Sequence, residues 1–500
     1  MALIKHIYNR LTRFSALCAV SCLACSCLDE DTSSIVTPDE FFTSVQQCQA
    51  AVNSSYIPLK TIYDFRYMIA VEAVTDLASA NGNAQVDARL LISPASSGIG
   101  PTIWQQGYIG VRNTTCAIHG MEICDLEPSE IFRPMCEAKI LRAYYYYILT
   151  SFFGDVPFYE DYVKTVEDLK RVSSLPRMSA VETRNSLCEE LMAFAPQMEQ
   201  IRSSEEKENR VGAAMAWMLI AKMRMWNKQW SEALVALEHL KEIYGDLSQY
   251  SLDDIPFRFK NTPESIFEIQ HTYEKGGVSY ASNCACICMP HPRSESSCTY
   301  DGVDIPELGN EAVVWSPLRP TSYLTNSVMP ASVSDNRRGC SLVSSWNGHN
   351  FSRTWLGPKF WCPGMYSSYD SNNYKVFRYA DAVLMMSECY CELEDNVKAI
   401  ACLDEVKSRA GLSHYGPFRT TEKLRDEIRK ERARELFGEF QRKYDLVRWG
   451  IWYKFTMQYN TYTEVQQNIR PCHEYYPIPD EQVVASGYKL DNDAYKKYGL

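Results

Sequence analysis

The strongest restriction on the fold is a pattern that the chain uses twice. Between Ala213 and Tyr244, apolar and small residues recur as in two antiparallel helices, with Trp217, Ile220 and Ala221 in the first and Ala233 and Leu237 in the second. Aligning Ala399 with Ala233 puts Val383, Met386, Ser387, Tyr390 and Leu403 on matching positions of a second pair. A small residue again falls where the helices approach closely. One such pair cannot bury its apolar face alone, so the chain must stack its helices on one another. The first copy is degenerate, because Arg224 stands where Tyr390 fits the pattern.

The positions are those of a tetratricopeptide repeat, and neighbouring segments extend the helical reading. From Glu137 to Phe153, Ala138, Leu141, Tyr145, Leu149 and Phe152 fall at three- and four-residue intervals, which predicts a long packed helix stopped by Gly154-Asp155-Val156-Pro157. Thr37-Pro38-Asp39-Glu40 reads as a helix start, with Thr37 as N-cap and Glu40 completing a capping box. Thr421 to Trp449 reads as one further helix, its alternating charges from Glu431 to Glu435 forming a solvated, salt-bridged face over an apolar stripe.

Between Tyr273 and Asn373 helical periodicity is lost; proline, glycine, serine and asparagine are dense, and Trp315, Trp346, Trp355 and Trp361 crowd together. A loop-rich insertion of this length points to function, because a rigid scaffold can hold variable loops over a site. The expected fold class is therefore mainly α: a tetratricopeptide-like scaffold of helical pairs with a large loop-rich insertion carrying the ligand site.

The N-terminus carries an address. Lys5, Arg10 and Arg13 precede a short apolar run from Phe14 to Ala24, followed by Ala24-Cys25-Ser26-Cys27 and the acidic Asp29-Glu30-Asp31. The run is too short to span a membrane and reads as a bacterial lipoprotein leader. Cys27 is the favoured acylation site, with Cys25 and Cys22 as alternatives. Loss of the leader takes the net charge from -11 to -14, since 48 basic residues remain against 62 acidic ones. That balance argues against a nucleic-acid partner, whose phosphates need clustered Lys and Arg. Of nineteen cysteines, fifteen lie beyond Cys27, scattered through a chain long enough to bury them as free thiols. Cys284, Cys286 and Cys288, with His291 and Cys298, form the one cluster resembling a metal site. Read as a strand, its spacing lacks the paired hooks of structural zinc, so no metal and no cofactor are expected.

The order of several motifs resembles the SusD/RagB family over essentially the whole mature chain. Arg142-Ala143-Tyr144-Tyr145-Tyr146 leads to Phe153-Gly154-Asp155-Val156-Pro157. Phe377-Arg378-Tyr379-Ala380-Asp381 leads to Ser387-Glu388, with serine where the family usually has alanine. Lys407 to Leu412, then Glu431-Arg432, Glu435, Arg442, Asp445-Leu446, Arg448-Trp449-Gly450 and Tyr476-Pro477-Ile478-Pro479 follow in order. The resemblance divides the chain into a leader at 1–26, an N-terminal helical region at 27–272, the insertion at 273–373 and a C-terminal helical region at 374–500. It implies a lipid-anchored protein of the bacterial outer membrane, facing outward. Such a protein captures a glycan and delivers it to a TonB-dependent SusC-type transporter. Arg142, Arg378, Asp381, Arg442 and Asp445 would form partly buried ion pairs that fix helix register.

A sugar offers a face of C–H groups and a rim of hydroxyls, so its site needs flat aromatics and planar polar groups. Trp315, Trp346, Trp355, Trp361, Tyr366 and Tyr369 are candidate platforms, with Asn347, Asn350, Arg353 and Asp370 as hydrogen-bonding partners. Asn81, Asn83, Asp87 and Arg89 lie where the resemblance places further polar contacts, and Trp104 reads as core. A glycoside hydrolase is the rival within enzymes, but no motif singles out an acid and a nucleophile. A peptide or glycopeptide cargo remains the alternative for the same scaffold. No catalytic residue is assigned.

Overall fold

Each helical pair expected from the spacing forms, and the pairs stack. The computed structural model describes residues 41–500 apart from 81, 83–84, 278–279 and 292–297. The leader with Cys22, Cys25 and Cys27, the capping box at Thr37, and Asn81 and Asn83 lie outside the described residues. Helices α1 (Val45–Ser54), α2 (Gly100–Ile123), α3 (Pro128–Phe153), α4 (Ala180–Phe194), α5 (Ala213–Trp226) and α6 (Trp230–Tyr244) form the N-terminal layers. Helices α7 (Tyr379–Glu392), α8 (Asn396–Arg409), α9 (Thr421–Glu435) and α10 (Arg442–Arg448) continue them. From α2 to α8 each helix packs on the next. Among the described residues no helix is long and apolar enough to cross a membrane.

Small residues set the close approaches. A Cβ on Gly110 of α2 would stand 2.2 Å from the Tyr145 ring of α3, so the two helices meet only because that position has no side chain. In the second repeat pair, the Ser387 hydroxyl donates to the Ala399 carbonyl at 2.7 Å, which explains how serine is accommodated there. Helix α3 starts earlier than its periodicity suggests, with Pro128 in the first turn, and ends at Gly154 with φ of 74°.

The helix expected over Thr421 to Trp449 is two helices. α9 ends at Glu435, and α10 begins at Arg442 after a turn in which Gly438 and Phe440 have φ of 76° and 63°. A side chain at Gly438 would strike Phe360 at 2.4 Å. The charged run is also not solvated: Glu431, Arg432 and Glu435 are buried. Their partners come from remote segments. Arg337 meets Glu431 at 2.7 Å, and Arg378 meets Glu264 and Glu439 at 2.7 and 2.8 Å and Glu435 at 3.1 Å. Arg432 bridges Asp381 and Asp445, both at 2.9 Å, while Arg442 clasps Asp76 at 2.6 Å. This lattice pins the second repeat pair to α9 and α10.

Strands are short and paired two by two. β1 (Ala78–Ala80) pairs with β5 (Leu318–Pro320), β2 (Ser265–Ile269) with β8 (Tyr374–Arg378), β3 (Thr299–Tyr300) with β4 (Val303–Asp304), and β6 (Leu342–Trp346) with β7 (His349–Leu356), all antiparallel. The β6–β7 hairpin turns at Asn347-Gly348, both at positive φ, the combination that suits a two-residue hairpin turn. The insertion is therefore not only loop. It has an apolar core of its own, separate from the helical core, built from Cys286, Met289, Tyr300, Val314, Phe351 and Trp355 among others.

Candidate functional site

The three cysteines expected on a strand form the short helix Cys284–Cys288, and all three are buried. Asp370 caps this helix: one carboxylate oxygen accepts from Ala285 N and the other from Asn372 N, each at 2.9 Å. Burial pushes the Asp370 carboxyl up to about 6, opposed by those two backbone donors. The Cys286 carbonyl in turn accepts from Trp315 N and Ser316 N at 2.9 and 3.1 Å. Ser316 has φ of 49°, is fully buried, and donates its hydroxyl to the Met289 carbonyl at 2.7 Å. Val314 and Ser316 thus point into the insertion's core while Trp315 between them stands 47% exposed. Phe65, half-buried ahead of α2, meets the Trp315 ring edge-on at 5.2 Å. This aromatic corner, a platform held by three fixed backbone contacts, is the most clearly built surface in the insertion.

The remaining candidates divide by exposure. Tyr366 and Tyr369 are exposed, with the Lys275 ammonium 4.1 Å above the Tyr366 ring. Trp346 is half-buried, tilted against Trp361 at 4.9 Å, and donates its indole N–H to Glu307 at 2.8 Å. Trp355 and Trp361 are each 2% exposed and belong to the insertion's core. Their indole N–H groups donate to Asp301 and to the Leu356 carbonyl, at 2.9 and 3.0 Å. Neither presents a face to a ligand, which corrects the expectation that they are platforms. Asp370 and Asp87 are corrected likewise: both are buried, and Asp87 accepts from Ile99 N at 3.1 Å and from the Tyr476 hydroxyl at 2.8 Å. Trp104 lies in the core as read. Arg89 is ion-paired with Glu464, which also accepts from the Tyr462 hydroxyl.

Four residues escaped the sequence reading. Phe65 lacks any local signal because it comes from a distant segment. Tyr280 is exposed, carries the Lys60 ammonium 3.9 Å from its ring centroid, and lines a cavity of about 360 Å³ together with Tyr56 and Gln270. Arg319 on β5 directs its Nε to the Ser316 carbonyl at 3.5 Å, next to the platform. Arg66, next to Phe65 in sequence, has its guanidinium engaged with Asp64 at 2.7 Å. Phe65 and Trp315 thus offer an aromatic surface with the Arg319 guanidinium next to it. Among the described residues no group of His, Cys, Asp and Glu is arranged to hold a metal ion.

The chain is similar to known proteins along most of its length. A family model described as the SusD family matches residues 350–495. A SusD-like protein, P25, of Formosa agariphila is 24% identical, covering 95% of this chain and 96% of its own. Among solved structures, a laminarin-binding SusD-like protein superposes with a TM-score of 0.71 at 20% identity, over 89% of this chain and 98% of that one. Surface glycan-binding protein A from Bacteroides thetaiotaomicron, in complex with laminarihexaose, gives 0.67 at 20% identity, over 90% and 99%.

Proposed function

We propose, from the premise that this chain belongs to the SusD/RagB family, that it binds a glycan at the cell surface without cleaving it and passes it to a TonB-dependent SusC-type transporter. The protein would be held on the outside of the outer membrane by a lipid on Cys27, with Cys25 and Cys22 as alternatives. Residues 1–26 would be the cleaved leader, and 27–272 and 374–500 the scaffold that carries the insertion at 273–373.

The observation that carries the reading is the exposed Trp315 indole, fixed by its backbone bonds to Cys286 and flanked by Phe65. An indole face suits the C–H face of a sugar. Trp346, Tyr366 and Tyr369 supply further aromatic surface on the same insertion. Two neighbouring proteins of the same fold bear names that state laminarin or laminarihexaose binding, which supports a carbohydrate as the class of cargo.

The test is a glycan array probed with the soluble chain beginning after Cys27 and with Trp315→Ala. A glycan bound by the parent and lost by a folded Trp315→Ala protein is the expected result. Binding unchanged in that variant would remove Trp315 from the site. Hydrolysis of the bound glycan would overturn the non-catalytic reading. Isolation of the acylated protein from membranes without a barrel partner would overturn the delivery step.

A further inference from the structure

We propose that the glycan received at Trp315 bears an anionic substituent, a carboxylate or a sulfate ester, held by the paired guanidiniums of Arg319 and Arg353. This inference rests on the glycan reading above and adds the chemical class of the ligand.

Two cations converge on one ring. The Arg319 guanidinium carbon lies 5.1 Å from the centroid of Trp355, and that of Arg353, two residues before Trp355 on β7, lies 5.5 Å from it. Arg319 is half-buried and Arg353 exposed. Burial and the neighbouring Arg353 charge both hold Arg319 below the usual arginine range. Arginines also gather on Trp449, where Arg442 and Arg448 lie 5.6 and 4.9 Å from the ring, but those two are clasped by Asp76 and Glu388, whereas a second like charge at Trp355 adds repulsion.

The counter-charge present is already occupied. Asp301 is the carboxylate that acts on both arginines. Its Oδ2 accepts from Ser352 N at 3.1 Å, from the Ser352 hydroxyl and from Trp355 Nε1 at 2.9 Å. Neither guanidinium forms an ion pair among the described residues. The contrast with the scaffold is direct: Arg337, Arg378, Arg432 and Arg442 meet their carboxylates at 2.6 to 3.1 Å. At these four positions the protein supplies the anion. At Trp355 it supplies two arginines without a paired carboxylate among the described residues, of which Arg319 reaches back with its Nε to the Ser316 carbonyl next to the exposed platform.

Position and chemistry agree. The Arg319 side chain folds back to the Ser316 carbonyl, which directly follows Trp315, so the forks border the surface on which a sugar ring would rest. A hydroxyl rim needs no charge, whereas a carboxylate or a sulfate matches a guanidinium fork through two parallel hydrogen bonds. Arg66 adds no net charge to the corner because Asp64 neutralises it.

The experiment uses the soluble chain and matched glycan pairs: polygalacturonate against its methyl-esterified form, and a sulfated galactan against its desulfated form, each at low and high salt. The charged member should bind about tenfold or more tightly than its neutral partner, with the advantage shrinking as salt rises. Arg319→Gln and Arg353→Gln should each lower binding of the charged member about tenfold and bring it down toward the affinity of its neutral partner, whose own loss is smaller. Arg319→Lys, which keeps the charge but loses the fork, should fall between. Arg353 is exposed, so its variant tests the idea even if Arg319→Gln unfolds. The pair that responds distinguishes carboxylate from sulfate. Equal binding of neutral and charged members, unaltered in the glutamine variants, overturns the anionic assignment and leaves the glycan reading standing. Failure to bind any glycan, charged or neutral, overturns both.

Discussion

Replacing Asp370 by asparagine tests the support beneath Trp315. In the wild type this buried carboxylate accepts two backbone N–H groups, from Ala285 and Asn372, and thereby holds the short helix whose Cys286 carbonyl fixes Trp315. The amide has one acceptor oxygen, so one N–H loses its partner, at a cost of about 1–3 kcal/mol. Against this stands the charge. The carboxyl titrates near 6 in the folded protein and near 3.8 in the unfolded chain, so at pH 7.5 its burial costs about 3 kcal/mol. The two terms offset, and the variant should be about as stable as the parent at pH 7.5.

Acid separates them. A carboxyl whose folded pKa is raised binds its proton more tightly when folded, so its unfavourable contribution is present above about 6 and is relieved as the pH falls toward 3.8. Between pH 7.5 and 4.5 the parent should gain about 2 kcal/mol over Asp370→Asn by this route. With an unfolding entropy of about 2 cal/mol/K per residue over roughly 460 residues, 1 kcal/mol is worth about 1 °C. Melting curves of both proteins should therefore lie together at pH 7.5 and separate by about 2 °C at pH 4.5, the parent higher. Parallel curves across that range, or a parent that loses ground in acid, would refute the assignment of a strained charge at Asp370. Asp370→Ala, which removes both acceptors, should additionally release Trp315 and weaken glycan binding while the helical scaffold keeps its far-ultraviolet dichroism.

Other perturbations probe the scaffold. Gly110→Ala drives a methyl group into the Tyr145 ring at 2.2 Å and should lower stability by about 1–3 kcal/mol, measured by chemical denaturation. Arg378→Ala removes the cation that Glu264, Glu435 and Glu439 share, but Arg409, Arg337 and Lys359 still pair with them, so the loss should be about 2–4 kcal/mol, below that of an uncompensated buried charge; a loss under 1 kcal/mol would show that the lattice is redundant. Trp355→Ala should destabilise by about 3–5 kcal/mol through an emptied core site, with the loss appearing in melting and not in binding alone. His271 and His473 are buried and held down to about 4, so the unfolded chain takes up their protons first. Their neutral burial should cost stability progressively from pH 6.5 to 4, and His473→Gln should flatten that part of the pH profile.

The parts of this protein that were legible in the sequence are those whose determinants are local. The helix pairs at Ala213–Trp226 with Trp230–Tyr244, and at Tyr379–Glu392 with Asn396–Arg409, follow from spacing within each segment. What escaped depends on contacts between remote residues. Glu431 and Arg432 read as solvated because their neighbours in sequence alternate in charge, yet Arg337 and Asp381 arrive from elsewhere to bury them. The same reason separates the tryptophans. Trp315 and Trp355 sit in similar composition, and only the fold shows that Cys286 turns one outward while Arg319 and Asp301 close over the other. A tryptophan count can locate an aromatic insertion, but a platform is defined by what fails to pack on it. On the proposal above, the residues that decide the ligand are then polar ones that no spacing announces, such as Arg319, brought from β5 to the Ser316 carbonyl beside that face.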